Sequence, residues 1–115
     1  MQLQNDTLAP TTISFGIFLS DKFPLLPLSI MTDTLRIANF LEETRNFSYV
    51  LISADGQSIS SSCEFPAPIE VGINNCPVLD VVLVCTGQSG AKTTNQGVLN
   101  WLRKLSRLGV TIGGI

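Results

Sequence analysis

The chain has 115 residues, of which 44% are apolar and only 14% charged, with a formal charge of −2. That length supports one domain, or part of one, with a buried core. The slight negative charge excludes a broad basic face for nucleic acid, and no apolar run reaches the roughly 20 residues that span a bilayer.

Taken in chain order, the opening "MQLQNDTLAPTT" has neither the basic start nor the apolar stretch of a signal peptide. Residues 1–12 read as a flexible leader. "ISFGIFL" (13–19) is a continuous apolar run of strand length, as expected of a strand buried on both faces. "SDKFPLLP" reads as a loop whose Pro24 or Pro27 sits in the first turn of a helix, where a missing N–H costs nothing. Leu28, Met31, Leu35, Ala38 and Leu41 then recur at helical spacing and predict an amphipathic helix over about 27–43. "NFSYVLIS" (46–53) is a second strand, stopped by the turn residues Ala54-Asp55-Gly56.

"QSISSSCEFPAPIEV" holds short β-like pieces broken by Pro66 and Pro68, which predict a hairpin or edge strands. "LDVVLVC" (79–85) is the clearest strand and ends at Thr86-Gly87. A polar loop follows, in which Thr94 or Asn95 is placed to cap the next helix. Val98, Trp101, Leu102, Leu105 and Leu108 form the apolar stripe of a helix over about 95–108. Arg103, Lys104 and Arg107 complement its C-terminal dipole, and Gly109 ends it. "VTIGGI" is a last strand, over 110–112, running into paired glycines that read as a turn.

Strands alternating with helices predict a parallel α/β sheet with helices on both faces. Ligands in such sheets bind outside the carboxyl ends of the strands. Three ends therefore matter: the loop after Leu19, the Thr86-Gly87 turn and Gly113-Gly114, all expected on one edge.

Chemistry-bearing residues are sparse. Histidine is absent, which removes Ser-His-Asp and Cys-His catalysis and the commonest zinc ligand. Cys63, Cys76 and Cys85 are odd in number and have no CxxC spacing, so they read as thiols of a reducing cytoplasm and not as a metal site. "TGQSG" matches neither the Walker pattern nor GxGxxG. The Arg103, Lys104 and Arg107 trio reads as a solvated helix face, Trp101 as core, Asp80 as a turn residue, and Asp33 as the surface partner of Arg36.

"LSIMTDTLRIANFL", "VLISADG", "DVVLVCTG" and "LNWLRKLSRLGVTIGGI", in this order, resemble the ThiJ/PfpI-like domain, a relative of class I glutamine amidotransferases. Within that superfamily they are most similar to the amino-terminal domain of GlxA-type AraC-family transcriptional regulators. The resemblance covers residues 13–115. It implies a flavodoxin-like parallel sheet in a three-layer sandwich, of which this chain carries the N-terminal part and ends just before the strand-to-helix elbow. In the enzymes that elbow holds a cysteine. Pro27 stands where the enzymes carry an acid, whereas Asp33 and Thr34 stand where the regulators carry the Glu-Pro of "EPLR". The regulator reading gains and the enzyme reading, a hydrolase, hydratase or isomerase, loses.

The resemblance thus implies a non-catalytic, cytoplasmic sensing and dimerisation domain with no cofactor and no metal. DNA would be reached only through a helix-turn-helix domain outside this chain. The implied effector is a small metabolite such as an amino-acid or quaternary-ammonium compound, and the implied assembly is a homodimer. Residues expected at its site are Phe23, Pro27, Thr86, Gly87, Gly114 and Ile115. A cage for a cation needs aromatic faces. Of Phe23, Phe40, Phe47, Tyr49, Phe65 and Trp101, only Phe23 lies near the carboxyl end of a strand.

Overall fold

The computed structural model describes residues 11–87 and 95–115. Its main sheet has five strands, all parallel. In chain order they are β1 (Thr11–Leu19), β2 (Arg45–Ser53), β5 (Val71–Gly72), β6 (Val81–Cys85) and β7 (Thr111–Gly114). Their spatial order is β5-β2-β1-β6-β7. Helix α1 (Leu25–Leu41) connects β1 to β2, and α2 (Gln96–Arg107) connects β6 to β7. Two residues each of β3 (Ile59–Ser60) and β4 (Pro66–Ala67) pair antiparallel, the hairpin expected of that proline-broken stretch.

Two of the parallel connections, β1 to β2 and β6 to β7, return through a helix on a face of the sheet, while β2 reaches β5 through the β3–β4 hairpin. Alternation along the strands then divides the core in two. Ile17, Leu19, Leu51 and Cys85 turn to one face and pack with Leu28 of α1, Phe23 and Ala67. Phe18, Ile52 and Val82 turn to the other and pack with Val98 and Trp101 of α2. The ring of Trp101 lies 5.9 Å from that of Phe18, tilted by 47°, so it is a core residue as expected. Phe23 is fully buried, worth about 1.5–3 kcal/mol of transfer energy.

The helix ends follow their sequence signals. Asn95 caps α2 by accepting from Val98 N at 3.1 Å, while Thr94 lies outside the described residues. At the other end Val110 N donates to Leu105 O and Gly109 N to Ser106 O, with Gly109 at φ +88°. This is the Schellman arrangement, which needs a left-handed residue and here has glycine.

Several expectations are corrected. Helix α1 begins at Leu25, inside the segment read as a loop, because Pro24 is extended and Pro27 fits the first turn. It ends at Leu41, which is exposed, so the buried stripe stops at Leu35, with Ala38 half-buried. Strand β1 takes in Thr11 and Thr12, which the sequence assigns to the leader. Gly113 and Gly114 form no turn. They belong to β7, opposite Leu83 and Val84, and neither has positive φ. Val71–Gly72, at the end of the stretch read as a hairpin or edge strands, is an edge strand beside β2.

Candidate functional site

The chain runs from β1 outward through β2 to β5 on one side, then crosses to β6 and β7 on the other. The direction of winding therefore reverses between β1 and β6. At such a switch point the two connections leave on opposite faces and open a crevice at the carboxyl ends of the strands. The parallel register puts Leu19 beside Cys85, and Val84 beside Gly114, so the three strand ends do share one edge.

A cavity of about 480 Å³ occupies this edge on the α2 side. Phe18, Val84, Val98 and Leu102 form its apolar wall. Polar groups come from loop residues that follow strands: Ser20 and Asp21 after β1, Asp55 after β2 and Thr86 after β6. Asn95, at the start of α2, completes that set. Asp55 is held by Gln57 N, which donates to its Oδ1 at 3.0 Å. Beneath it, the buried Ser53 hydroxyl donates to Gln57 O at 2.9 Å. The Ser20 hydroxyl is buried and has no hydrogen-bond partner among the described residues. An unpaired buried hydroxyl is costly, and a partner supplied from the cavity would relieve that cost.

Among the described residues that line the cavity, two are acids and none is basic. Lys22, next to Asp21, is exposed and does not line it. The chemistry offered is hydrogen-bonding oxygen, negative charge and an apolar wall. No cysteine lines it. Cys85 packs into the core on the α1 face, and its thiol points to Pro24 O at 3.7 Å. Burial pushes its pKa up, which disfavours the thiolate.

The residues expected at the site are dispersed. Thr86 lines the cavity. Gly87 stands at its border, where a Cβ would meet Lys22 O at 2.7 Å, so only glycine lets the two loops touch. Phe23 lies in the opposite core layer and offers the cavity no face. Pro27 is half-buried in the first turn of α1. Gly114 lies opposite Val84 in the sheet, and Ile115 N donates to Val84 O at 3.0 Å. Asp21 and Asp55 read in the sequence only as loop and turn residues, and the signal available for them is that each stands two positions past a strand end.

No protein-family model matches the chain. The chain is 28% identical over 102 residues to the HTH-type transcriptional regulator GbdR of Pseudomonas aeruginosa, covering 89% of this chain and 28% of that protein. The chain thus spans under a third of this curated relative. Among solved structures, an AraC family transcriptional regulator from Pseudomonas putida superposes with a TM-score of 0.77 at 21% identity, over 89% of this chain and 55% of that one. A ThiJ/PfpI family protein from Pseudomonas syringae gives 0.73 at 10% identity, over 99% and 47%. The fold is therefore that of the ThiJ/PfpI proteins, and the sequence is similar to transcriptional regulators.

Proposed function

We propose that this chain is the effector-sensing part of an AraC-type transcriptional regulator and binds a small cationic metabolite at the carboxyl edge of its sheet. The curated relatives are regulators by name, and the likeness to them spans most of this chain. The observation that carries the ligand class is the cavity beside α2, with Asp21 and Asp55 on it and no basic group among its described lining. A carboxylate pair at the mouth of a partly apolar pocket favours a cation with an apolar body, of the amino-acid or quaternary-ammonium kind. The Ser20 hydroxyl is available to a polar group on the same ligand. DNA contact falls to a separate domain, since the chain has a net charge of −2. No helix among the described residues is long and apolar enough to cross a membrane, in keeping with a cytoplasmic sensor.

A catalytic reading has less behind it. It needs an activated nucleophile beside the cavity, and Cys85 packs away from it.

The chain's single tryptophan, Trp101, lies on α2 and reports on the cavity wall. Titration with quaternary ammonium and amino-acid compounds should change its fluorescence and raise the melting temperature, while simple carboxylates should do neither. Asp55→Asn keeps an oxygen for Gln57 N but removes the charge, and should weaken cation binding by about tenfold. Preferential binding of anions, or equal binding by the variant, refutes the ligand class.

A further inference from the structure

The turn between β1 and α1 carries one hydroxyl that the fold leaves unused. Ser20 Oγ is shut off from solvent and has no hydrogen-bond partner among the described residues, although Ser20 lines the cavity beside α2. The other buried serines are satisfied: Ser53 donates to Gln57 O at 2.9 Å, and Ser61 Oγ accepts from Phe65 N at 3.0 Å. An unmet buried polar group opposes folding, so its persistence calls for a reason.

The turn is built so that Ser20 cannot swing away. Ser20 N donates to Cys85 O at 3.3 Å, and Ser20 O accepts from Phe23 N at 3.1 Å. Lys22 N donates to Ser60 O at 2.9 Å and Ser62 N to Phe23 O at 2.8 Å, which fastens the turn to the β3–β4 hairpin. Lys22 takes a left-handed backbone, φ +62°, and the chain reverses there. That reversal sinks Phe23 into the core on the α1 side and leaves Ser20 and Asp21 on the cavity. A lysine adopts this conformation at a cost, which persists where the surroundings impose it. The hydroxyl is therefore preorganised, and a ligand that meets it orders nothing further.

Strand order fixes what lies to either side. The ends of β2, β1 and β6 follow one another across the sheet, so Ser20 stands between Asp55 after β2 and Thr86 after β6. Adjacent strands are about 4.8 Å apart, so the three ends span about 10 Å. The two acids, Asp55 and Asp21, belong to the β2 and β1 ends. Towards β6 the cavity offers the Thr86 hydroxyl and Asn95, whose Oδ1 is engaged by Val98 N and whose amide nitrogen is a donor. Asn95 also opens α2, and the amino end of a helix carries partial positive charge. Those surroundings call for an electron-rich atom.

We propose that Ser20 is a specificity-determining residue of this cavity: its O–H donates to an acceptor oxygen on the ligand. That oxygen lies roughly one strand spacing, about 5 Å, from the cationic centre, on its α2 side. Asp21 and Asp55 respond to charge and attract any cation of suitable size. Ser20 adds what they lack, because a site that offers a buried donor rejects an analogue unable to meet it.

This inference rests on reading the cavity as a cation site, and a matched pair of probes separates the two. Acetonyltrimethylammonium and isobutyltrimethylammonium share charge and approximate shape, and differ by a carbonyl oxygen where the other has a methyl group. In calorimetric titrations of the full chain the acetonyl probe should bind about tenfold more tightly. Ser20→Ala should abolish that preference by weakening the acetonyl probe, with the isobutyl probe changing less than about twofold. The unliganded Ser20→Ala chain should melt at or above the wild-type temperature, because it loses an unmet hydroxyl and no internal bond. A merely structural hydroxyl would give the reverse, a lower melting temperature with the preference intact. Equal binding of the two probes by the wild type, a preference that survives Ser20→Ala, or a lowered melting temperature overturns the role of Ser20 and leaves the cation site standing. Binding of neither probe overturns both.

Discussion

Ser14 on β1 and Asp80 at the head of β6, 66 positions apart, hold each other through two hydrogen bonds. Ser14 N donates to Asp80 Oδ2 at 2.8 Å, and Asp80 N donates to Ser14 O at 2.9 Å. Thr111 N donates to Asp80 O at 3.1 Å, so one residue ties the amino ends of β1, β6 and β7. Asp80 sits in the bend before β6, and its carboxylate also extends a ladder. Asp80→Ala should cost about 1–2 kcal/mol, the scale of an exposed charge-assisted bond plus its orphaned donor. Urea melts of the variant give the number. A loss below a few tenths would mean that water replaces the carboxylate freely.

Gly87 tests the packing of the two loops at the cavity border. A methyl group there would stand 2.7 Å from Lys22 O, a backbone atom that cannot rotate away. Gly87→Ala should destabilise by about 1–3 kcal/mol as the loops part. Because Thr86 moves with it, cation binding should fall as well. Unchanged melting and unchanged binding together would show that the contact is not held in solution.

The ends of α2 offer a cleaner contrast. Gly109 is at φ +88° with open space around its Cβ position, so Gly109→Ala meets backbone strain and nothing else. The expected cost is about 1 kcal/mol. Asn95→Ala removes a side-chain cap and should cost a similar ~1 kcal/mol. The sites are far apart on the helix, so the double variant should show the sum, and a strongly non-additive result would reveal coupling through α2.

Burial raises the pKa of Cys85 and, for the same reason, of Cys76 above the ordinary thiol range. A raised folded-state pKa means that the fold favours the protonated thiol. The resulting stability is fully present below the ordinary thiol pKa and is lost as pH climbs through the folded values. Unfolding free energy followed from about pH 7 to about pH 10 should therefore decline. Cys76→Ala with Cys85→Ala should flatten that decline, and an unaltered slope would assign it to other groups.

The same burial makes Cys85 unreactive. Thiol reagents should modify the exposed Cys63 first and Cys85 only on unfolding. Glyoxalase-type and peptidase assays of the chain should show no turnover. Activity abolished by Cys85→Ser would overturn the non-catalytic reading.

What the residues alone determined was every element whose burial repeats along the chain. Beyond Ser14 and Asp80, "ISFGIFL" and "LDVVLVC" carry no polar side chain because both faces of those strands are covered, and the structure places both strands inside the sheet. Leu28, Met31 and Leu35, or Val98 and Trp101, recur because a helix turns one side to the sheet. Asn95 and Gly109 mark the ends of α2 because capping is a matter of a few adjacent backbone groups. These are local or periodic constraints, and sequence carries them directly.

Tertiary structure decided the rest. Glycines that read as a turn became strand because β6 offers Gly113 and Gly114 a ladder, which neighbouring residues cannot foretell. Val71–Gly72 is a strand only because Ile52 and Ser53 lie alongside. Phe23 sits near a strand end in sequence, yet the bonds of its loop to Ser60 and Ser62 turn it into the core and away from the cavity. The acids moved in the opposite sense. Asp21 and Asp55 are ordinary loop residues in the sequence, 34 positions apart by number (55 less 21), and become one site when β1 and β2 end side by side. Periodicity records which residues are buried, because burial repeats with the backbone. It cannot record which loops meet, because that follows from the order in which the strands pair.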